Sequence, residues 1–259
     1  MQIYWTKINR IVDESPEIKT YYLDCPKDVT WEEGAHIHLA LKGFNAEEKP
    51  NRSLVRHMSI STLPEEQSIG ITTRIKEECS EFKQILRTLE VGDEVAVFKI
   101  HSNVPLRREN KNIYFLSSGV GLATFRPLVL DYFNSPENVG SIHSLNVDSS
   151  RHYLFPDLFE TVSDKAFSSE FVDNRNDYYE RVKQLATDKD AFYYVVGSDE
   201  FLLENIALLH EQGIQSDHIK LDKHGKTTRR VFRTSAFYLK QLKSSNIMFH
   251  NSNHLSTAV

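Results

Sequence analysis

The sequence predicts two domains, an antiparallel β-barrel with one capping helix followed by an α/β domain with a doubly wound parallel sheet. In the N-terminal part, short runs rich in β-branched and aromatic residues are separated by turn-forming residues. After residue 110, continuous apolar runs alternate with stretches of helical period. A length of 259 residues, 40% of them hydrophobic, is sufficient for two domains with their own cores.

The N-terminal part contains six predicted strands. They are Gln2–Val12, Thr20–Asp24, His36–Leu41, His57–Ser61, Ile69–Ile75 and Glu94–Lys99. One helix is predicted over Ser80–Leu89, because apolar residues recur there at helical spacing and Ser80 is a suitable N-cap. Many short strands with a single helix predict a closed barrel whose end is plugged by that helix.

The C-terminal part alternates strands with helices, which predicts a parallel sheet. The strands are Asn112–Leu116, Ser141–Val147, Asp190–Val196 and a short one at Ile219, and the helices are Leu122–Tyr132 and Asp199–Gln212. We place the domains at 1–108 and 109–226, with a basic extension at 227–259. The extension is expected either to be a solvated helix or to contact the acidic body or an acidic partner.

Composition narrows the class of protein. The net charge is −5, and the basic extension contains no Asp or Glu, so the remaining chain is more acidic still and nucleic-acid binding is not expected. No apolar run approaches the roughly 20 residues of a membrane span. Two cysteines, Cys25 and Cys79, are too few for a disulfide framework and favour a reducing, cytoplasmic setting.

The turn after the first strand of the second domain reads SSGVGLATFRP from Ser117 to Pro127. Gly119 and Gly121 permit a tight turn, and the free amides at the start of the next helix attract a diphosphate. Thr124 stands where the longer G-x-G-x-x-G pattern has its last glycine, so a close-packed turn without a ligand is the alternative.

A barrel strand carries VRHMSIS from Val55 to Ser61. The guanidinium of Arg56 suits a diphosphate, and the hydroxyl of Ser59 suits a ring nitrogen or carbonyl. A regular strand places these two residues on opposite faces, so a twist, a bulge or an approach from the strand edge is required for one ligand to reach both. The alternative is an ordinary strand with an exposed arginine.

A third segment runs from the strand at Ile71 to the predicted helix. The free amides of Ser80, Glu81 and Phe82 form a second potential anion site, although the acids Glu77, Glu78 and Glu81 nearby oppose an anion. Cys79 is either a reactive thiol or a small residue beside a ligand. The histidine pairs His36/His38 and His250/His254 lack a third ligand at suitable spacing, so no metal site is predicted.

Several short motifs occur in a fixed order. Arg56–Ser59 matches R-x-Y-S/T except at Met58, and Ser80–Lys83 matches a Ser-x-Phe-Lys helix start. Leu89–Asp93 matches L-x-x-G-D, and Gly119–Leu122 with Arg126 matches G-x-G-I/L-x-x-x-R. A further strand leads into Val196-Gly197-Ser198, where Cys-Gly-Pro is expected. Taken together, these segments resemble the ferredoxin–NADP reductase superfamily, from about Ile3 to Gly225.

The resemblance implies an FAD-dependent oxidoreductase with a FAD-binding barrel and a Rossmann-like domain for NADH or NADPH. A hydride would pass from the nicotinamide to flavin N5, and electrons would pass on to a ferredoxin, a flavodoxin or a partner subunit. Ser59 would be the catalytic residue beside the isoalloxazine. The expected cofactor-binding residues are Arg56, His57, Met58, Ser59, Thr72, Thr73, Cys79, Ser80, Gly119, Val120, Gly121, Leu122, Ala123, Asp148, Gly197 and Ser198.

Two departures from the family pattern keep other functions open. Met58 replaces a flavin-stacking tyrosine, and Val196 replaces a cysteine near the nicotinamide. A non-catalytic flavin-binding subunit of an electron-transfer complex, or a binding protein that has lost FAD, are the alternatives. The choice of nucleotide is also open, because Asp148 favours a free ribose hydroxyl and Arg151 favours the 2′-phosphate of NADPH.

Overall fold

The computed structural model describes residues 2–159, 166–223, 232 and 234. The predicted extension 227–259 therefore lies outside the described residues, apart from Phe232 and Thr234. The N-terminal domain comprises β1 Tyr4–Ser15, β2 Ile18–Asp24, β3 Ala35–Ala40, β4 Val55–Ser59, β5 Ser68–Arg74, α1 Glu81–Thr88 and β6 Glu94–Ser102. The strands form one antiparallel sheet in the order β4-β3-β6-β1-β2-β5.

The sheet curls like a barrel, but the closure expected from the sequence is wrong, because β4 and β5 remain its two edges. After β4 the chain makes one backbone bond towards β5, from Ser61 N to Gly70 O at 2.8 Å. The Thr62 hydroxyl then forms two hydrogen bonds with β5, because it accepts from Gly70 N and donates to Ser68 O. A side chain thus satisfies two backbone groups of β5 that would pair with β4 if the barrel were closed.

The predicted capping helix is confirmed as α1. Its buried face inserts Phe82 and Leu86, which are 0% and 1% exposed, into the barrel core. The buried Tyr21 hydroxyl donates to the Leu86 carbonyl at 3.0 Å, and burial raises the pKa of Tyr21 to about 12. A phenol that stays protonated is a constant donor, so this bond fixes the end of α1 to β2.

The C-terminal domain is a five-stranded parallel sheet with helices on both faces, as predicted. Its elements are β7 Lys111–Ser118, α2 Leu122–Asn134, β8 Val139–Val147, α3 Pro156–Phe159, β9 Phe167–Val172, α4 Arg175–Leu185, β10 Phe192–Val196, α5 Asp199–Glu211 and β11 Ile219–Leu221. The strand order is β11-β10-β7-β8-β9. None of the helices among the described residues combines the length and the apolar character needed to cross a membrane.

Adjacent residues of β7 show how the sheet is covered. Phe115 packs on one face, where its ring stacks on Phe125 of α2 with centroids 4.4 Å apart. Leu116 faces the other way, into the core that contains Phe201 and Leu202 of α5. Because side chains alternate along a strand, the continuous apolar run of β7 buries both faces, and this is typical of a parallel sheet.

Candidate functional site

A cavity of about 300 Å³ lies between the two sheets, and we call it the interdomain cavity. On the barrel side it is lined by Met58 and Ser59 of β4 and by Thr72 and Thr73 of β5. These are the two edge strands, so the cavity lies over the seam where the barrel fails to close. The two edge strands therefore supply the barrel side of the interdomain cavity.

On the other side, the interdomain cavity is bounded by the turns after β7 and β10. These strands are neighbours in the sheet, but the chain runs from β7 to β8 in one direction and returns to β10 in the other. Ligands of open α/β sheets bind outside the carboxyl ends of the strands at such a switch point. The cavity therefore joins the barrel seam to the expected ligand site of the parallel sheet.

The structure brings most of the predicted site residues to this cavity. They are His57, Met58, Ser59, Thr72, Thr73, Val120, Gly121, Ala123, Gly197 and Ser198. Gly119 and Asp148 instead line a neighbouring cavity of about 330 Å³, the β8 cavity, which shares Ser118 with the first. Arg56, Cys79 and Ser80 line neither cavity, and the side chain of Leu122 is fully buried in the core.

The side chain of Arg56 does not line the interdomain cavity. Its guanidinium donates to the carbonyls of Ser53 and Val55 at 3.0 and 2.8 Å and lies 5.2 Å from the ring centroid of Phe82. The pairing of β4 with β3 is regular from Val55 to Ser59, so no bulge brings Arg56 and Ser59 to one face. A ligand that reaches both must approach Arg56 from the edge of β4.

Helix N-termini differ in a way that bears on anion binding. The first amides of α4 and α5 are capped by the side chains of Asn174 and Ser198. Neither Ser80 before α1 nor Gly121 before α2 makes a side-chain cap. Helix α1 therefore keeps N-terminal amides without a side-chain partner, which fits an anionic ligand, whereas the Leu122 amide of α2 already donates to the carbonyl of Gly119. The hydroxyl of Ser198 is used for capping.

Glycine in the turn after β7 is required by packing. A Cβ atom at Gly121 would lie 2.8 Å from the carbonyl oxygen of Val196. The α2 turn and the end of β10 therefore approach each other so closely that Gly121 has no room for a side chain. This supports the alternative interpretation of the glycine motif, and the ligand case rests on the uncapped amides.

Ser59 makes a contact that the sequence analysis did not anticipate. Its hydroxyl donates to a carboxylate oxygen of Asp222 at 2.7 Å, and Asn103 donates to the other oxygen at 3.3 Å. Asp222 follows β11, so the parallel sheet delivers it to the same edge as the turns after β7 and β10. An acidic residue directly after a strand of a parallel sheet can indicate a site residue. The strand before Asp222 is short, so the sequence indicated this position only weakly.

An ion pair crosses the β8 cavity between the domains. Arg74 of β5 donates to Asp148 at 2.8 Å, and both side chains lie next to Gly119. The second oxygen of Asp148 accepts from the amide and hydroxyl of Ser150 at 2.9 and 2.7 Å. The carboxylate predicted to bind a ribose therefore already has protein donors on both oxygens, and a nucleotide must compete with them.

A second ion pair is bidentate. Arg126 of α2 donates to both carboxylate oxygens of Glu66 at 2.9 and 2.8 Å, and also to the carbonyl of Ser61 at 2.8 Å. Two parallel charge-assisted bonds fix orientation as well as distance. The arginine of the glycine motif thus connects the parallel-sheet domain to the segment that follows β4.

Comparison with known proteins shows similarity of fold. No family model matches the sequence, and no curated protein matches it significantly. A ferredoxin NADP+ reductase from Neisseria gonorrhoeae with bound FAD and NADP is similar over 85% of this chain and 98% of its own, with a TM-score of 0.72 and 12% identity. Ferredoxin-NADP+ reductase from Plasmodium falciparum is similar over 86% of this chain and 96% of its own, with a TM-score of 0.71 and 14% identity.

The cytochrome b5 reductase domain of Ulva prolifera nitrate reductase is also similar, over 85% of this chain and 97% of its own, with a TM-score of 0.69 and 17% identity. The two-domain architecture, with an antiparallel barrel-like sheet before a parallel one, is therefore shared with these solved structures. The chain therefore has the two-domain fold of these solved structures, which is the fold that the motifs led us to expect.

Proposed function

We propose that the chain is an FAD-dependent oxidoreductase that takes electrons from NADH or NADPH and passes them to a partner protein. The observation that carries this proposal is the interdomain cavity, which joins the unclosed barrel seam to the switch point of the parallel sheet. The proteins of the same fold include a ferredoxin NADP+ reductase whose crystal structure contains bound FAD and NADP, and this supports the choice of cofactors.

The residues present fit these cofactors. Arg56 and the uncapped amides of α1 would hold the FAD diphosphate, and Met58, Ser59, Thr72 and Thr73 would line the flavin ring. The amides at the start of α2 would hold the diphosphate of the nucleotide. When bound, flavin would accept a hydride from the nicotinamide and release electrons singly or as a pair.

The chain contributes orientation and polarity at this site. Asp222 accepts a hydrogen bond from the Ser59 hydroxyl, and because both residues line the interdomain cavity, this bond holds the hydroxyl in one orientation there. We assign Ser59 the role of a hydrogen-bonding group beside the reacting ring and Asp222 the role of positioning it. Met58 offers an apolar, polarizable surface where the family has an aromatic ring.

The acceptor is proposed to be a ferredoxin, a flavodoxin or a partner subunit. Both cysteines are free thiols, which agrees with a reducing compartment, and we propose the cytoplasm. The second candidate function is a non-catalytic flavin-binding subunit of an electron-transfer complex. Met58 and Val196, which both line the cavity in place of the family's tyrosine and cysteine, favour that alternative.

The flavin site is tested by replacing Arg56 in the full chain. We expect Arg56→Ala to weaken FAD binding about tenfold or more, because the diphosphate loses a charge-assisted donor. Titration of the flavin-free protein with FAD measures this affinity, and Arg10→Ala on β1, an exposed arginine, is the matched control. An Arg56→Ala protein that folds and binds FAD as tightly as the parent would refute the assigned site.

A further inference from the structure

A larger cavity, of about 480 Å³, lies elsewhere on the barrel, and we call it the outer cavity. It opens on the face of the sheet where His57, His38 and Phe98 are cross-strand neighbours on β4, β3 and β6. Of the residues expected to bind cofactors, only His57 lines it. Its volume lies within the range of about 300–1,000 Å³ that is usual for small-molecule sites.

The wall of the outer cavity is largely aromatic and aliphatic. Phe98 stacks on Phe44 with centroids 5.8 Å apart and planes at 15°, and its ring also lies 5.2 Å from that of His38. Val55 of β4 completes the apolar surface. A cavity wall that contains aromatic rings favours an aromatic ligand, because rings gain both apolar burial and favourable stacking there.

The charged groups at this cavity have one sign. Arg52 and Lys99 line it, and none of its lining residues is Asp or Glu, although the chain as a whole carries a net charge of −5. Within the described residues, neither cation has an ion-pair partner. Two cations without ion-pair partners beside the apolar wall of the outer cavity favour an anionic group on the ligand.

An unusual backbone conformation directs one of these cations, Lys99, into the outer cavity. Phe98 and Lys99 are consecutive on β6 and would point to opposite faces of a regular strand, yet both line the outer cavity. Lys99 has a φ of 52°, and the pairing of β3 with β6 shifts register between His36 and His38. Such a bulge redirects a side chain, and a left-handed lysine is a costly conformation that a merely solvent-exposed residue does not require.

We propose that the outer cavity is a second binding site, which takes a small aromatic anion such as a carboxylate or sulfonate on one or two rings. Phe44 and Phe98 hold the rings, and Arg52 and Lys99 hold the acid group. The site goes beyond the proposed reductase function, because its affinity requires neither flavin nor pyridine nucleotide. Its contact with His57 places the ligand against the strand that also lines the interdomain cavity.

The test uses two fluorescent probes with the full chain. One is 1-anilinonaphthalene-8-sulfonate, and the other is N-phenyl-1-naphthylamine, which has the same rings without the sulfonate. We expect saturable binding of the sulfonate at one site, weakened about fivefold by Arg52→Gln or Lys99→Gln, with the neutral probe changed less than about twofold. Val55→Phe is expected to fill part of the outer cavity and to weaken the binding of both probes. Lys7→Gln on β1 is the control for charge alone.

The fold of each variant is checked first, and the binding results then support or overturn the second binding site. Near-ultraviolet circular dichroism and the unfolding midpoint of every variant show that a loss of binding is not a loss of fold. Sulfonate affinity that is unchanged in both charge variants, or unchanged in Val55→Phe, overturns the proposal. Displacement of the sulfonate by FAD or NAD+ also overturns it, because the probe then occupies the interdomain cavity. A protein that binds no flavin but shows the expected pattern supports this site independently of the reductase function.

Discussion

The hydrogen bond from Ser59 to Asp222 joins a barrel strand to the chain that leaves the parallel sheet. A hydroxyl rotates freely unless a partner holds it, and Asp222 is an acceptor that fixes its proton. The hydroxyl of Ser59, which lines the interdomain cavity, is thereby held in one orientation. The contact therefore gives one residue from each domain a shared role at the proposed site.

Removing this acceptor is expected to affect turnover more than binding. In Asp222→Ala the rate of flavin reduction by the preferred nucleotide should fall about tenfold, since the Ser59 hydroxyl loses its fixed orientation. Asp222→Asn retains an acceptor oxygen and should lose less. Anaerobic stopped-flow absorbance measures the rate, and FAD titration is the control. Equal loss of FAD affinity and rate would contradict a positioning role.

Gly121 tests the packing of the turn between β7 and α2. Gly121→Ala places a Cβ 2.8 Å from the Val196 carbonyl oxygen and should destabilise the fold by about 1–3 kcal/mol. Gly213 has a φ of +86° and open space around it, so Gly213→Ala should cost only about 1 kcal/mol through the backbone conformation. Urea unfolding compares the two, and a larger loss for Gly213→Ala would refute the packing argument.

Glu33 connects the segment before β3 to the chain between the sheets. Its carboxylate accepts from the amide of Leu106 at 2.9 Å, and burial raises its pKa despite this bond. A folded-state pKa above the unfolded value means that the folded protein binds the proton more tightly. The stability from this group is present at low pH and is lost as the pH rises through the raised pKa.

Glu33→Gln removes the buried charge while it keeps an acceptor for the Leu106 amide. We therefore expect the variant to be more stable than the parent at pH 7, and the advantage to shrink as the pH falls towards about 4.3, the ordinary glutamate value. Thermal unfolding at several pH values measures the difference. An advantage that does not depend on pH would show that the Glu33 charge is not the cause.

How far the sequence predicts an element depends on how much of the element is buried. β10 is apolar throughout and β7 contains the continuous apolar run 113–116, so both strands were located to within a few residues. β9 and α4 were missed, because β9 buries Phe167 fully but exposes Ser168, and α4 buries only Tyr178 and Val182. The bond between Ser59 and Asp222 joins distant positions with no shared pattern, so no local signal could have predicted it.

The two domains are held together by charged contacts as well as apolar ones. Arg126 and Glu66 form the bidentate pair, and their side chains are 19% and 31% exposed, so solvent screens them only in part. In a double-mutant cycle with Arg126→Met and Glu66→Gln, we expect a coupling of about 1 kcal/mol in the free energy of unfolding. Lys183 and Glu180, an exposed pair on α4, should couple by only about 0.3 kcal/mol.

The same cycle separates stability from alignment. If the pair orients the parallel sheet against the barrel, each Arg126 or Glu66 variant should slow flavin reduction while FAD affinity stays unchanged. A coupling no larger than that of the exposed pair would mean that the interdomain contact contributes nothing beyond surface electrostatics.

We propose that flavin and a pyridine nucleotide meet in the interdomain cavity. The most direct measurement is an anaerobic titration of the purified, FAD-loaded full chain with NADH and, separately, with NADPH, while the flavin absorption band is followed. We expect one of the two nucleotides to bleach the band at about one equivalent per flavin. A protein that binds no FAD, or a bound flavin that neither nucleotide reduces, would contradict it.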